Sequence, residues 1–171
     1  MAEAGILNED DRVELIGGEI IAMTPIGPRH AFVVDWLVRA FLESVGGRAA
    51  IRTQNPTILD DLSEPQPDIA IATGPLERYR SRHPRPRDLL LVIEVCDATA
   101  AIDRNIKIPR YALTGVPETW LVDLDSDRVD VFRVPRPDGY GSASTYGLGE
   151  HITPEAFPDV VFDVGDVLGL R

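Results

Sequence analysis

The chain has 171 residues, of which 44% are hydrophobic and 26% charged, and carries a formal net charge of −11. These values fit one globular domain and exclude collagen, coiled coil and wholesale disorder, and no apolar run approaches the ~20 residues of a membrane span. The acidic start reads as lacking a secretory signal, and the one cysteine, Cys96, cannot form an intramolecular disulfide, so a reducing cytoplasm is expected.

In chain order, Val13–Ile16 and Glu19–Met23 flank Gly17 and Gly18 and predict a β-hairpin. Residues 29–45 predict an amphipathic helix with Val33, Val34, Leu37, Val38, Phe41 and Leu42 on its apolar stripe, stopped by Gly46 and Gly47. Residues 48–53, 57–59 and 66–72 predict strands, and 75–88 a polar loop. Residues 89–95 are apolar except at Glu94, the pattern of a central strand covered on both faces. Residues 98–114 predict a helix kinked or split at Pro109 and ended by Gly115. Residues 119–124 and 128–134 predict a second hairpin, and a Pro- and Gly-rich remainder ends in an apolar stretch at 160–168. The order implies an α/β or α+β fold with a mixed central sheet flanked by helices.

Glu94 lies inside the most apolar strand, where a lone carboxylate costs several kcal/mol, so it should be paired, protonated or metal-bound. If strands 66–72 and 89–95 are antiparallel neighbours, Asp68 and Glu94 lie opposite each other, because both are equidistant from residue 81 in the loop between them. Opposed like charges repel, and a divalent cation such as Mg²⁺ or Mn²⁺ is the simplest remedy. The alternative is an Asp68 that only caps a strand start. Lys107 is the single lysine among 17 basic residues. It lies on the helix that should pack back over the sheet, within reach of the pair, although Asp103 at i−4 offers it an ordinary ion pair. Two carboxylates, a divalent metal and a lysine suit phosphodiester hydrolysis.

The ordered set Glu14 to Glu19 (Glu-Leu-Ile-Gly-Gly-Glu), His30, Pro67-Asp68, Glu94-Val95, Asp103-Arg104, Lys107, Tyr111, Gly115-Val116 and Trp120 to Asp123 resembles the Uma-type restriction endonuclease family of the PD-(D/E)xK nuclease superfamily. The resemblance covers about residues 11–134 and continues weakly to the end. It implies a single restriction-endonuclease-like domain over 1–171, with a core at about 11–134 and a C-terminal extension at 135–171. It also implies a DNA endonuclease and a homodimer. Asp68 and Glu94 match the metal-binding carboxylates, with the Val95 carbonyl as a further ligand. Cys96 stands where the superfamily lysine is usual, and Lys107 matches the lysine supplied by the following helix. Glu19 matches an acid at the active-site edge, and His30 a histidine that contacts phosphate or assists proton transfer.

Segment 77–88 holds five Arg against two acids, including Arg78, Arg80 and Arg82, with Tyr79 available to stack. It reads either as a clamp for a nucleic-acid backbone or as a solvated loop; its tip is expected at the sheet end opposite the carboxylates. Three readings therefore stand: a metal-dependent nuclease, a nucleic-acid-binding or protein-interaction module on a nuclease fold with little or no catalysis, and, as the weakest, a metal-dependent hydrolase of some other phosphoester.

Overall fold

The computed structural model describes residues 12–97 and 103–170. The Gly17-Gly18 turn folds β1 (Val13–Ile16) onto β2 (Glu19–Ala22), both glycines having positive φ. Helix α1 (Pro28–Val45) buries Val33, Val34, Leu37, Phe41 and Val45 along one stripe, whereas Leu42 is exposed. At its end Gly46 takes φ +58 and returns its N–H to the Leu42 carbonyl.

A six-stranded sheet in the order β3-β4-β5-β6-β7-β8 forms the centre. Its strands are β3 (Ala49–Thr53), β4 (Ile69–Thr73), β5 (Leu89–Cys96), β6 (Glu118–Asp123), β7 (Arg128–Arg136) and β8 (Gly139–Tyr146). Only β5 and β6 are parallel; every other pair is antiparallel. The crossover between them contains a π-helical turn, Asp103–Lys107, and helix α2 (Ile108–Thr114). Short strands β9 (His151–Ile152) and β10 (Phe162–Asp163) and helix α3 (Val164–Val167) follow. No helix among the described residues is long and apolar enough to cross a membrane.

Strand alternation assigns the two sheet faces. Leu91, Ile93 and Val95 pack with α1, Trp120 and the C-terminal residues Phe157, Phe162, Val164 and Leu168. Val92 packs on the other face with Leu59, Tyr79 and Tyr111, and Cys96 packs with Ile108 and Leu121. Covering on both faces explains the apolarity of β5 on either side of Glu94. It also sends Glu94, in phase with Val92 and Cys96, toward the face covered by α2.

Four expectations need correction. Residues 57–59 form no strand: the amides of Thr57, Ile58 and Leu59 donate to the carbonyls of Pro65, Pro84 and Ser63 across an irregular loop. Strand β4 begins at Ile69 rather than Gln66, because Pro67 has no N–H and the Gln66 amide is taken by Glu14. The expected helix at 98–114 is a π-turn followed by a seven-residue α-helix over 103–114. Pro109, which has no amide to donate, sits in the first turn of α2 where the helix type changes, and residues 98–102 lie outside the described residues. Finally, β8 had no expected counterpart.

Candidate active site

The β4–β5 register pairs Ile69 with Ile93 and Ala70 with Val92. Continued by one residue, it sets Asp68 across from Glu94. Asp68 is held from three directions. Its Oδ2 accepts the Val95 amide at 2.9 Å, and its Oδ1 lies 2.9 Å from His30 Nε2 and 3.3 Å from Gln54 Nε2. An ionised carboxylate only accepts, so the His30 proton on this bond belongs to Nε2. The first turn of α1 thus brings His30 to the strand edge.

Glu94 is almost fully buried. Its Oε1 accepts the Tyr111 hydroxyl at 2.6 Å, and its Oε2 lies 3.4 Å from Lys107 Nζ. Lys107 is shared: Glu14 Oε2 is at 3.0 Å and Asp103 Oδ1 at 3.5 Å. Glu14 in turn accepts the Gln66 amide at 2.7 Å, tying the β1–β2 hairpin to the turn that carries Asp68. Glu14, His30, Asp68, Glu94, Asp103 and Lys107 face a cleft of about 80 Å³, lined also by Asp97 and by an apolar wall that includes Met23, Pro25 and Ile26.

Acids outnumber bases here, and the protonation tendencies follow. Burial raises the Glu94 pKa well above the usual carboxylate range; Lys107 opposes this, while Asp103, Asp68 and Glu14 add to it. Burial alone would lower the Lys107 pKa, but the fields of Glu94, Glu14 and Asp103 outweigh it and raise it. Lys107 is therefore an ammonium, spread over three carboxylates and closer to Glu14 than to Glu94. Burial likewise opposes protonation of His30, yet the hydrogen bond and charge of Asp68 raise its pKa. Cys96, beside the site in β5, is buried, and that burial pushes its thiol pKa upward.

Of the residues expected at a site, Asp68, Glu94, Val95, Lys107 and His30 converge on this cleft. Glu19 does not: it is exposed beside the hairpin turn, paired with Ile16, and lies outside the cleft lining. The hairpin acid that reaches Lys107 is Glu14. Its signal was strand phase, because Glu14 shares the buried face of β1 with Ile16. Arg78, Arg80 and Arg82 lie beyond the opposite end of β4–β5, roughly 17 Å away over five residues. Arg82 grips the buried Asp88 through both terminal nitrogens at 2.6 and 3.1 Å, and Arg78 approaches it at 3.2 Å. Tyr79 cannot stack on a base: it is buried beneath Arg82, and its hydroxyl donates to the Thr73 carbonyl. Arg80 is exposed. Tyr111 and Gln54 had no expected role at the site.

Asp68 and Glu94 offer oxygen donors, the type that Mg²⁺ and Mn²⁺ take, and the surplus of negative charge suits a divalent cation. Among the described residues, however, no three His, Cys, Asp or Glu side chains already converge as a ligand set.

A mixed sheet with paired acids and a lysine at one strand edge defines a nuclease-like α/β protein. A solved structure described as a putative nuclease belonging to DUF820, from Anabaena variabilis ATCC 29413, superposes with a TM-score of 0.76 at 15% identity. The match covers 98% of this chain and 96% of that one, which establishes a shared fold. The model of the Uma2 family, described as putative restriction endonuclease, matches residues 2–165, and the chain belongs to that family. No curated protein matches it.

Proposed function

We propose that this chain is a metal-dependent endonuclease that hydrolyses DNA phosphodiester bonds at the cleft between β4 and β5. The observation that carries the reading is the meeting of Asp68, Glu94 and Lys107 from three separate segments at one strand edge. Asp68 and Glu94, with the Val95 carbonyl, would hold Mg²⁺ or Mn²⁺. When bound, such an ion activates water and offsets charge on the scissile phosphate.

The chain's own groups supply the rest. Lys107, held as an ammonium by its three carboxylates, stabilises negative charge developing on the phosphate rather than accepting a proton. His30 and Gln54 fix the Asp68 carboxylate in place. Glu14 sets where the Lys107 ammonium rests. A lysine displaced to the following helix motivates the rival reading of a non-catalytic binding module. Its arrival 3.4 Å from Glu94 favours catalysis.

The test is cleavage of supercoiled plasmid, single-stranded DNA and RNA with Mg²⁺, Mn²⁺ or EDTA, for wild type beside Glu94→Ala. DNA cleavage by wild type alone, and only with metal, is expected. Cleavage that survives Glu94→Ala would contradict the assigned site, and binding without cleavage would favour the rival reading.

A further inference from the structure

We propose that Tyr111 is a positioning residue for Glu94, fixing the carboxylate toward the cation that the nuclease site would hold; the inference rests on that reading of the site. Each oxygen of the Glu94 carboxylate faces one side-chain donor. Lys107 lines the cleft and faces Oε2. Tyr111 does not line the cleft, and it approaches Oε1 from the fold side at 2.6 Å, much the shorter of the two contacts. The Tyr111 ring is fully buried in the cluster that holds Leu59, Val92 and Val116, so its hydroxyl has little freedom to move. A fixed donor on Oε1 sets the plane of the carboxylate and leaves Oε2 beside the cleft. Groups that hold a metal-binding carboxylate from behind in this way commonly govern affinity and turnover together.

Lys107 and Tyr111 stand four residues apart across the junction of the π-turn and α2, so one segment supplies both donors. That makes their spacing a single device: the lysine addresses the cleft side of Glu94 and the tyrosine its inner side. The competing account is a core aromatic whose hydroxyl merely found the nearest acceptor. Tyr111→Phe separates the two, because it keeps the ring and removes only the donor.

Mn²⁺ binding would be measured by titration calorimetry without DNA, and steady-state cleavage on a duplex oligonucleotide. Tyr111→Phe is expected to weaken Mn²⁺ about 10- to 100-fold and to lower kcat while leaving KM for DNA unchanged. Wild-type Mn²⁺ affinity and kcat in Tyr111→Phe, with binding lost in Glu94→Gln, would overturn the inference and leave the site reading standing. Wild-type Mn²⁺ affinity in Glu94→Gln would overturn the site reading and the inference with it. A readout on the unaltered protein guards against a misfolded variant: Mg²⁺ should shift the Tyr111 ring resonances in NMR spectra. No shift at saturating Mg²⁺ would overturn the proposal.

Discussion

Strands β4 and β5 meet a buried carboxylate at each end of their pairing, and the two are held in opposite ways. Asp88, just before β5, takes both terminal nitrogens of Arg82, the Arg85 amide at 3.0 Å and a terminal nitrogen of Arg78 at 3.2 Å. The Arg82 hydrogen bond leads in pulling its pKa down to about 2, against the opposing effect of burial. Glu94, at the other end, shares one lysine with Glu14 and Asp103, and burial drives its pKa upward. Both carboxylates are buried, one at each end of the same pair of strands; what differs is compensation. A bidentate guanidinium and a backbone amide close a structural ion pair. A shared ammonium among several acids leaves a site with room for more positive charge. The contrast also gives the single lysine among 17 basic residues a reason to stand at position 107: a compact ammonium can address three carboxylates that a planar fork cannot.

The largest effect expected from breaking this contrast is on cleavage. Glu94→Gln should lower DNA hydrolysis by at least roughly 100-fold, measured on plasmid with Mn²⁺, with the folded state retained. The matching change at the other end, Asp88→Asn, should spare cleavage but destabilise the fold by about 2–3 kcal/mol in urea denaturation. It leaves Arg82 with a weaker acceptor, and partial exposure of Arg82 holds the cost below that of breaking a fully buried pair.

A smaller effect sharpens the same comparison through pH. The folded-state pKa of Asp88 lies below the unfolded value, so its contribution is present above pH 4 and is lost as pH falls through about 2. The loss amounts to at most about 2 kcal/mol, and the Asp88→Asn protein should not show it in acid denaturation curves. The smallest effect is at Arg80. Its exposure and its distance from the cleft predict that Arg80→Ala changes stability by less than about 0.5 kcal/mol. DNA affinity should be equally insensitive; a clear loss together with a shallower salt dependence would bring the Arg-rich loop into the DNA interface.

The facing of Asp68 and Glu94 was legible because antiparallel register is arithmetic once the loop between two strands is recognised. The first hairpin and α1 were legible from Gly-Gly and from helical periodicity. Strand β8 was not, because the middle of this edge strand, Gly141 to Thr145, is built of small residues exposed throughout and shows no alternation to read. Glu19 stood out over Glu14 because motif order says nothing about which side chain turns inward, and only the phase against Ile16 decides it. The loop arginines looked free because their partner, Asp88, becomes an anchor only once the chain has folded around it. Tyr111 was hidden for a similar reason: its apolar setting reads as core, and its hydroxyl gains meaning only when Glu94 lies 2.6 Å away.

The most direct test of the central claim, that Glu94 is an under-compensated acid kept for a cation, is thermal melting of wild type and Glu94→Gln with and without Mn²⁺. Wild type should gain about 5–10 °C at a Mn²⁺ concentration 100 times its Kd, by mass action on the folded state. Glu94→Gln should melt at or above the metal-free wild type and gain nothing from Mn²⁺. A variant that melts lower than wild type without metal, yet keeps the full Mn²⁺ shift, would show Glu94 to be a structural acid like Asp88 and would contradict the account.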